Sequence, residues 1–290
     1  MLRAMYIMDP EDWARVYTPE LQAEVESLVS VLSPVMSADQ VLSRPDLLGQ
    51  VDIILSGWGG PKFDKAFLEL APQLQAVFYG AGAVRYMLTE HFWEREIVLT
   101  TANIINAIPV AEFSLAHILL GMKRAWAQTR EVRNRRTFAQ LPVPGAYRST
   151  VGLISMSTIG RLVLQHLEHF DMHVVAYDPT LSEEEALELG VELVSLEELF
   201  SVSDVVSLHA PLIPETEGLI TGTLLANMKH GATFINTARG SIVRETEMIE
   251  VLCARPDLIA VLDVTDPEPP VANSPPLRII QCDFDSPYCG

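Results

Sequence analysis

The pattern of apolar and polar positions alternates between short, continuous apolar runs and longer stretches with apolar residues at helical spacing. The short runs are typical of strands buried on both faces, and the longer stretches are typical of amphipathic helices. We therefore predict βα units around parallel sheets. In the first third of the chain, the predicted strands are Ala4–Met8, Asp52–Ser56, Gln75–Tyr79 and Ile97–Thr100, and the predicted helices lie near Pro19–Val31 and Lys62–Leu70.

A second series of the same kind begins at Thr150. Its predicted helices are Ile159–Phe170 and Ser182–Leu189, the latter opened by a capping-box pattern of Ser182 with Glu185. Its predicted strands are Val151–Ser155, His173–Tyr177, Val205–His209, Ala232–Asn236 and Ile259–Asp263.

The apolar stretch Pro109–Ala127 separates the two series and is predicted to be a connecting helix that begins at Pro109. Residues 130–149 are expected to form a helix end and a loop, and the proline-dense Asp266–Pro276 another loop. The predicted fold class is α/β, with two doubly wound parallel-sheet domains. A boundary near Ala102–Asn103 gives a first domain of residues 1–102 and a second of residues 103–290.

Charge and cysteine content narrow the range of partners. The formal net charge of −18 repels phosphate backbones and anionic membrane surfaces, so neither nucleic acid nor a membrane is expected as a partner. Charges interrupt the apolar runs, which predicts no membrane span, and the first residues turn acidic too early for a signal peptide. The three cysteines lack metal-site spacing, so we expect no metal and a reducing compartment, the cytoplasm.

The segment Gly152–Gly160 lies between a predicted strand and a predicted helix, where a dinucleotide fingerprint belongs. Ser155 and Ser157 occupy its first two glycine positions, and only Gly160 remains. Asp178 follows eighteen residues later, where a carboxylate binds ribose hydroxyls and repels a 2′-phosphate. The residues of this segment leave two readings open, a cofactor turn and an ordinary βαβ crossover without a ligand.

Three later strings are more specific. Residues 205–220 read VVSLHAPLIPETEGLI, residues 228–240 read MKHGATFINTARG, and residues 262–270 read LDVTDPEPP. With YGAG at 79–82 and NAIPVAE at 106–112, they resemble the D-isomer-specific 2-hydroxyacid dehydrogenases, which include phosphoglycerate dehydrogenases. The TDPEP variant is similar to that of glyoxylate/hydroxypyruvate reductases. The resemblance extends from about residue 52 to about residue 280.

The resemblance implies an NAD-dependent oxidoreductase that transfers a hydride between NAD(H) and a small 2-hydroxy or 2-oxo acid. It implies a flavodoxin-like substrate-binding first domain, a Rossmann-like NAD-binding second domain, and a homodimer. Arg239 would bind the substrate carboxylate and polarise its carbonyl, because its guanidinium fork matches both. Glu268 would orient a catalytic imidazole, while His209 is read as structural and the remaining histidines as surface residues.

The resemblance also assigns residues that bind cofactor and substrate. The cofactor set is Ser155, Ser157, Thr158, Ile159, Gly160, Asp178, Pro211, Thr216, Thr237 and Asp263. Within it, Asp263 and the Thr237 backbone would hold the nicotinamide carboxamide. Backbone N–H groups for the substrate carboxylate would come from Gly80, Ala81 and Gly82, with Arg239 as the charged partner.

In the family, a strand after the P-E-P motif reads like NVILTPHIAG and supplies the acid/base histidine, and a helix then returns to the first domain. Here no histidine follows His230. With synonymous codons chosen freely, the codons of Gln281–Cys289 read one base later encode NVILTPHIA, with the histidine codon straddling Pro287 and Tyr288. We expect a frameshift before Gln281 and a missing return helix; a natural divergent tail is the alternative.

Three functional hypotheses follow from these expectations. The first is a dehydrogenase scaffold whose turnover is impaired by loss of the histidine. The second is a non-catalytic NAD-binding or regulatory protein, which the two serines of the turn also favour. The third is a non-functional product of a frameshifted gene.

Overall fold

The computed structural model describes residues 1–268, 270, 282 and 283. The chain forms two compact units, one of residues Met1–Asn106 and one from Ala107 onward, and each is described by itself. Each unit is built on a parallel sheet with helices between successive strands, which confirms the predicted α/β class.

The first unit contains a five-stranded parallel sheet of order β2-β1-β3-β4-β5. Its strands are β1 (Arg3–Ile7), β2 (Ser30–Val31), β3 (Ile53–Ser56), β4 (Ala76–Tyr79) and β5 (Val98–Thr101). Its helices are α1 (Pro10–Val16), α2 (Pro19–Leu28), α3 (Ala38–Leu42), α4 (Pro45–Leu48), α5 (Lys65–Leu70) and α6 (Glu90–Trp93). This order is that of flavodoxin-like domains.

Side chains of β1 alternate between two cores, as a strand buried on both faces requires. Met5 and Ile7 pack with Phe63 and Phe92 on one face. Ala4, Tyr6 and Met8 pack on the other face with Tyr17, Ile53 and Leu55. The four predicted strands of this unit are confirmed to within one residue at each end.

Two predicted helices of this unit were too long. The helix predicted near Pro19–Val31 begins at Pro19 after its Thr18 cap but ends at Leu28, because Ser30 and Val31 pair in parallel with Arg3 and Ala4. A two-residue strand is too short for a sequence period to separate it from the helix before it. The helix predicted from Lys62 begins at Lys65, because Asp64 accepts from the Phe67 N–H and caps it.

The second unit contains a seven-stranded parallel sheet of order β12-β11-β10-β9-β6-β7-β8. Its strands are β6 (Thr150–Ile154), β7 (His173–Tyr177), β8 (Glu192–Leu193), β9 (Val205–Leu208), β10 (Thr233–Asn236), β11 (Ile259–Leu262) and β12 (Cys282–Asp283). Six of them, from β8 to β11, have the strand order of dinucleotide-binding folds. The five strands predicted for this unit are confirmed to within one residue at each end.

The helices α9 (Thr158–Leu167), α10 (Glu183–Leu189), α11 (Leu196–Val202), α12 (Gly222–Ala226) and α13 (Glu245–Ala254) connect these strands. The predicted capping box of α10 is confirmed, since Ser182 and Glu185 exchange both hydrogen bonds. The predicted helix Ile159–Phe170 stops at Leu167. Sequence reasoning left α11, α12 and α13 unassigned.

The predicted start of the connecting helix at Pro109 was wrong. Helix α7 runs from Asn103 to Met122 with Pro109 inside it, and α8 (Ala125–Arg135) follows. Proline removes the hydrogen bond to the carbonyl of Ile105, and the exposure of Ile105 allows water to satisfy that carbonyl.

By length and composition, α7 could cross a membrane, so the expectation that no apolar stretch reaches a span was also wrong. Ala107, Val110, Ala111, Ser114 and Ile118 form a buried stripe at helical spacing. A Cβ on Gly121 would lie 3.0–3.1 Å from side-chain atoms of Thr233 and Val205, so the helix packs against the second sheet. Burial of this stripe accounts for part of the apolar composition, while Ile104, Ile105, Ile108 and Leu120 of the same helix are exposed.

Asp52 connects the start of β3 to β1. Its carboxylate accepts from the Arg3 N–H at 2.8 Å, Nε at 3.1 Å and Nη2 at 3.2 Å. The side-chain hydrogen bond from Arg3 lowers the pKa of Asp52 against the opposing effect of burial. The ionised carboxylate therefore stabilises the first unit.

Replacing Asp52 with Asn should lower the free energy of unfolding by about 1 kcal/mol at pH 7. Because the folded-state pKa is depressed, this contribution is present above the unfolded pKa of about 3.9 and disappears as pH falls through the folded value. Urea unfolding at pH 7 and pH 3 measures the difference. Asp46→Asn, which removes an exposed partner of Arg44, is the control and should leave the free energy of unfolding nearly unchanged, because solvent screens exposed ion pairs. An Asp52 effect equal at both pH values would contradict the prediction.

Candidate functional site

The loops that follow β6 and β9 meet at the carboxyl edge of the second sheet. From β6 the chain goes to β7 and β8 on one side and then returns to β9 on the other side of β6, and this switch point is where doubly wound folds bind ligands. Ser157 Oγ, after β6, donates to the carbonyl oxygen of His209, after β9, at 2.8 Å. The two loops are thereby held together by one hydrogen bond across the switch point.

The turn after β6 keeps the backbone of a glycine-rich fingerprint without its first glycine. Ser155 has φ of 74°, in the left-handed region, which costs a residue with a Cβ about 1–2 kcal/mol. Its N–H donates to the carbonyl of Tyr177 at 2.8 Å. A Cβ on Gly160 would lie 2.2 Å from the Ser155 carbonyl oxygen, so only glycine permits this approach of helix to turn.

Ser157 serves as the N-cap of α9. Its hydroxyl accepts from the Gly160 N–H at 3.4 Å, so it already uses one donor of the first helical turn. The N–H groups of Thr158 and Ile159 have no acceptor within the described part of the chain. A pyrophosphate therefore finds two free donors and the positive end of the helix dipole at this terminus.

The carboxylate of Asp178 is fully engaged. One oxygen accepts from the Thr180 N–H at 2.9 Å and its hydroxyl at 2.7 Å; the other accepts from the Met156 N–H at 2.8 Å and the Ser155 hydroxyl at 3.3 Å. Burial acts to raise the pKa of Asp178, but these hydrogen bonds outweigh it and the pKa is lowered. The group is therefore a fixed negative charge that stabilises the turn.

Buried polar atoms without partners lie directly after the ends of β9 and β10, beside the switch point. Both ring nitrogens of His209 and the Thr237 hydroxyl have no hydrogen-bond partner among the described residues. Burial lowers the pKa of His209 to about 3, so the ring is neutral. Because unpaired buried polar groups are costly, these atoms fit a site that a polar ligand completes. The carboxamide and ribose groups of a dinucleotide have the donors and acceptors required.

The loop after β9 does not offer a free hydroxyl. Thr216 Oγ1 accepts from the Ile213 N–H at 3.0 Å and lies 2.6 Å from the carbonyl oxygen of Pro211, to which it donates. Thr216 thus stabilises its own loop, and its hydroxyl is already paired at this position of the predicted cofactor set.

Arg239 is positioned by a side-chain clamp and a close backbone contact. Asn236 accepts from the Ala238 N–H at 3.0 Å and donates to the Arg239 carbonyl at 3.1 Å. A Cβ on Gly240 would lie 2.1 Å from the Thr265 backbone, so glycine lets the loop that carries Glu268 pass directly beside the arginine. Sequence reasoning missed the role of Asn236, although its place at a strand end before a turn is a known Asx signal.

The Arg239 side chain is exposed and forms no salt bridge with the described carboxylates. Its one hydrogen bond there is from Nη1 to the carbonyl of Ala238. The guanidinium fork therefore retains donors for an anionic ligand.

Asp263 and Glu268 form a like-charged pair beyond the end of β11. Burial raises the pKa of Asp263 to about 6, and the charge of Glu268 contributes in the same direction. Glu268 is exposed, and the loop before it is held by the Asp266 N–H, which donates to Glu245 at 3.1 Å. Asp263 is thus protonated in part near neutrality.

In the first unit, the loop after β4 offers two backbone donors instead of three. The Gly80 N–H donates to the Ser56 carbonyl at 2.9 Å, continuing the sheet ladder, so its expected role as a carboxylate donor was wrong. A Cβ on Gly80 would also lie 2.4 Å from Val16. The N–H groups of Ala81 and Gly82 have no acceptor in the described part of the chain.

Two further expectations concern histidine and the last residues. His117 was expected at the surface but is buried on α7, where its Nδ1 pairs with the Phe113 carbonyl at 2.8 Å and its ring stacks on Trp126. Tyr288, the expected place of the catalytic histidine, lies outside the described residues.

Residues 115–283 match the family model of the D-isomer-specific 2-hydroxyacid dehydrogenase, NAD-binding domain. The chain belongs to this family. D-3-phosphoglycerate dehydrogenase of Mycobacterium tuberculosis is 32% identical over 222 residues, 75% of this chain and 41% of the relative. The enzyme of Methanocaldococcus jannaschii is 29% identical over 257 residues, 86% of this chain and 48% of the relative. This chain thus spans less than half the length of these two relatives.

Solved structures agree on the fold. A Thermus thermophilus protein superposes with a TM-score of 0.75 at 26% identity, covering 98% of this chain and 88% of that one. A glyoxylate reductase from Paecilomyes thermophila gives 0.79 at 22% identity, covering 100% and 88%. The second likeness supports the fold alone. The Rossmann-like, NAD-binding character of this family's second domain is therefore established for the chain.

The raised pKa of Asp263 predicts that Asp263→Asn increases the free energy of unfolding by an amount that depends on pH. A carboxyl whose folded pKa lies above its unfolded value lowers the stability of the folded protein as pH rises from about 4 through about 6, because the folded state must then hold the charge. The variant should therefore have a higher free energy of unfolding at pH 8, by about 2 kcal/mol once the shift is discounted for screening of this partly exposed group, and by much less at pH 4.5. Asp171→Asn, an exposed carboxylate in the same unit, should change neither value. An equal gain at both pH values would rule out the titration.

Ser157→Gly should tighten NADH binding about fivefold, which corresponds to about 1 kcal/mol, because it frees the Gly160 N–H and removes a Cβ from the turn. Ser195→Gly is the matched control, since Ser195 caps α11 through the Glu198 N–H at 3.1 Å. Each change should cost stability by only a few tenths of a kcal/mol. Fluorescence titration with NADH measures affinity, and equal affinity in the wild type and Ser157→Gly would contradict the prediction.

Proposed function

We propose that this family member transfers a hydride between NAD(H) and a small 2-oxo or 2-hydroxy acid. The observation that carries the proposal is the free guanidinium fork of Arg239, held at the carboxyl edge of the sheet beside the loop of Glu268. A fork of this kind matches a carboxylate and an adjacent carbonyl oxygen of a 2-oxo acid. Bound NADH would supply the hydride.

In this proposal, the unpaired groups at the switch point bind the cofactor. The N–H groups of Thr158 and Ile159 hold the pyrophosphate, and Thr237 with Asp263 holds the carboxamide. Asp263 in its protonated form donates to the carboxamide oxygen, and its ionised form accepts from the amide nitrogen. Ala81 and Gly82 are assigned to the substrate carboxylate through their N–H groups.

Reduction of a carbonyl also requires a proton, because the new alkoxide must be neutralised. Glu268 is assigned to orient an imidazole and raise its pKa, as a carboxylate beside histidine does. The printed residues after His230 contain no histidine. A polypeptide limited to these 290 residues is therefore proposed to retain affinity for the substrate but to reduce it slowly.

A second candidate, a non-catalytic NAD-binding or regulatory protein, is favoured by Ser155 and Ser157. The left-handed Ser155 is strained, and Ser157 uses a donor that a pyrophosphate would otherwise receive. The donor that Ser157 occupies weakens cofactor binding without abolishing it, whereas the strain at Ser155 lowers the stability of the turn.

The substrate and setting belong to the proposal as well. The curated relatives are D-3-phosphoglycerate dehydrogenases, whereas the TDPEP motif is similar to that of glyoxylate/hydroxypyruvate reductases. Glyoxylate, hydroxypyruvate and 3-phosphohydroxypyruvate are thus the acids to compare. A cytoplasmic homodimer is the proposed form.

NADH should bind at least about tenfold more tightly than NADPH. The fixed charge of Asp178 repels a 2′-phosphate, and its four hydrogen bonds prevent it from moving away. Fluorescence titration with the two cofactors measures the ratio. Thr180→Ala should tighten NADH further by freeing one acceptor position for a ribose hydroxyl. Equal affinity for both cofactors would contradict the assignment of Asp178.

The 290-residue chain should consume NADH with these acids about 10²–10⁴-fold more slowly than a family enzyme with its positioned acid. Arg239→Lys should weaken binding of oxalate, a non-reducible dianion, because an ammonium lacks the bidentate fork. Arg244→Lys is the control, an arginine already paired with Glu247. Rapid turnover would refute the need for the histidine. Oxalate binding equal in both arginine variants would refute the role of Arg239.

A further inference from the structure

The first unit contains a cleft of about 590 Å³ on the side of its sheet covered by α1 and α2. Its lining includes Tyr6 from β1, Trp13 from α1, Gln22 and Glu26 from α2, and Val31 from β2. All of these residues precede the loops at the carboxyl ends of β3 and β4. No residue of the loop after β4, to which the donors for the substrate carboxylate are assigned, lines the cleft.

Two buried donors in this cleft have no partner among the described residues. They are the hydroxyl of Tyr6, a side chain only 2% exposed, and the indole N–H of Trp13. Their rings meet edge to face, with centroids 5.7 Å apart, and Tyr17 packs on the other side of Tyr6 at 4.9 Å. The aromatic packing fixes both donors, so they cannot turn away to find partners.

A carboxylate and apolar walls complete the cleft. Glu26 is exposed and forms no ion pair among the described residues. Burial, and then the charge of Glu26, raises the pKa of Tyr6, so its hydroxyl stays protonated. Val29 and Val31 supply apolar surface, and the Gln22 amide is held by the Tyr17 carbonyl at 2.6 Å.

We propose that this cleft binds a small primary amine whose apolar body ends in an oxygen acceptor. The oxygen would accept from Trp13 and Tyr6, the body would pack between the indole and the valines, and the ammonium would pair with Glu26. These contacts follow from the groups that line the cleft. The two fixed donors of Tyr6 and Trp13 need a hydrogen-bond acceptor, and the unpaired carboxylate of Glu26 attracts a cation.

Tyramine is the probe, because it has an ammonium, an aromatic body and a phenolic oxygen. Isothermal titration of the full chain should show saturable binding. Phenethylamine, which lacks the oxygen, should bind about tenfold more weakly, and 4-hydroxyphenylacetate, which lacks the cation, should not bind.

Three variants test the assignment. Trp13→Phe, Tyr6→Phe and Glu26→Gln should each weaken tyramine about tenfold. Two control variants should leave binding unchanged. They are Trp93→Phe, at an exposed tryptophan of the same unit, and Glu24→Gln, which lies on α2 with Glu26.

Thermal unfolding without ligand separates a binding site from a site for structural water. Removal of an unpaired buried donor leaves stability unchanged or raises it, whereas removal of a water-bonded donor lowers it. Unchanged or higher midpoints for Trp13→Phe and Tyr6→Phe, with lost binding, support the proposal. Lower midpoints, no saturable binding of tyramine, or binding indifferent to the three variants would each overturn it. Because none of these readouts uses NADH, the result is independent of the proposed dehydrogenase activity.

Discussion

Parallel strands buried on both faces end abruptly, and the backbone and side-chain groups at their carboxyl ends must find partners outside the ladder. In the second unit this requirement shapes three of the described turns and loops at that edge. Asp178 satisfies the turn after β6, Asn236 satisfies the turn after β10, and Thr216 closes the loop after β9. Some donors and acceptors remain unpaired, on His209, Thr237 and the first turn of α9. These groups mark the candidate ligand site.

The same requirement produces the competition at Ser157. A hydroxyl at this N-cap stabilises α9 and bridges to the His209 carbonyl, so it strengthens the protein that lacks a cofactor. A glycine there leaves the helix terminus open to a pyrophosphate. Stability of the turn and affinity for the dinucleotide are thus opposed at one residue. At Ser155 they are not, because a left-handed serine costs stability whether or not a cofactor is bound.

Sequence patterns identified the strands of four or more residues in both sheets, because such apolar runs bounded by turn residues are long enough to recognise, but not the two-residue strands β2 and β8. They failed where a local signal was overridden by packing. Pro109 suggested a helix start, yet burial of the stripe from Ala107 to Met122 extends α7 on both sides of it. His117 carries no motif, and its burial depends on Phe113 and Trp126, which only the fold brings together.

At the candidate site, residue types could be predicted from the sequence, whereas the fold determines which backbone and side-chain atoms have no hydrogen-bond partner. The motif around Gly80 predicted three backbone donors, but the ladder to Ser56 uses one of them. The arginine of the INTARG motif could be predicted to bind an anion, whereas the role of Gly240 required the Thr265 backbone to be seen within contact distance of it. Such contacts join residues far apart in the chain, and no local period encodes them.

Unpaired buried groups in the two units call for different explanations. His209 and Thr237 follow strands of the unit that matches the family's NAD-binding domain, so the cofactor site that we propose would give them partners. Tyr6 on β1 and Trp13 on α1 belong to the first unit, outside the family match at residues 115–283. Because folding leaves few buried donors unsatisfied, a fixed pair of them beside an unpaired carboxylate requires a partner of its own. The two sets therefore point to two ligands of different chemistry, a dinucleotide and a small amine.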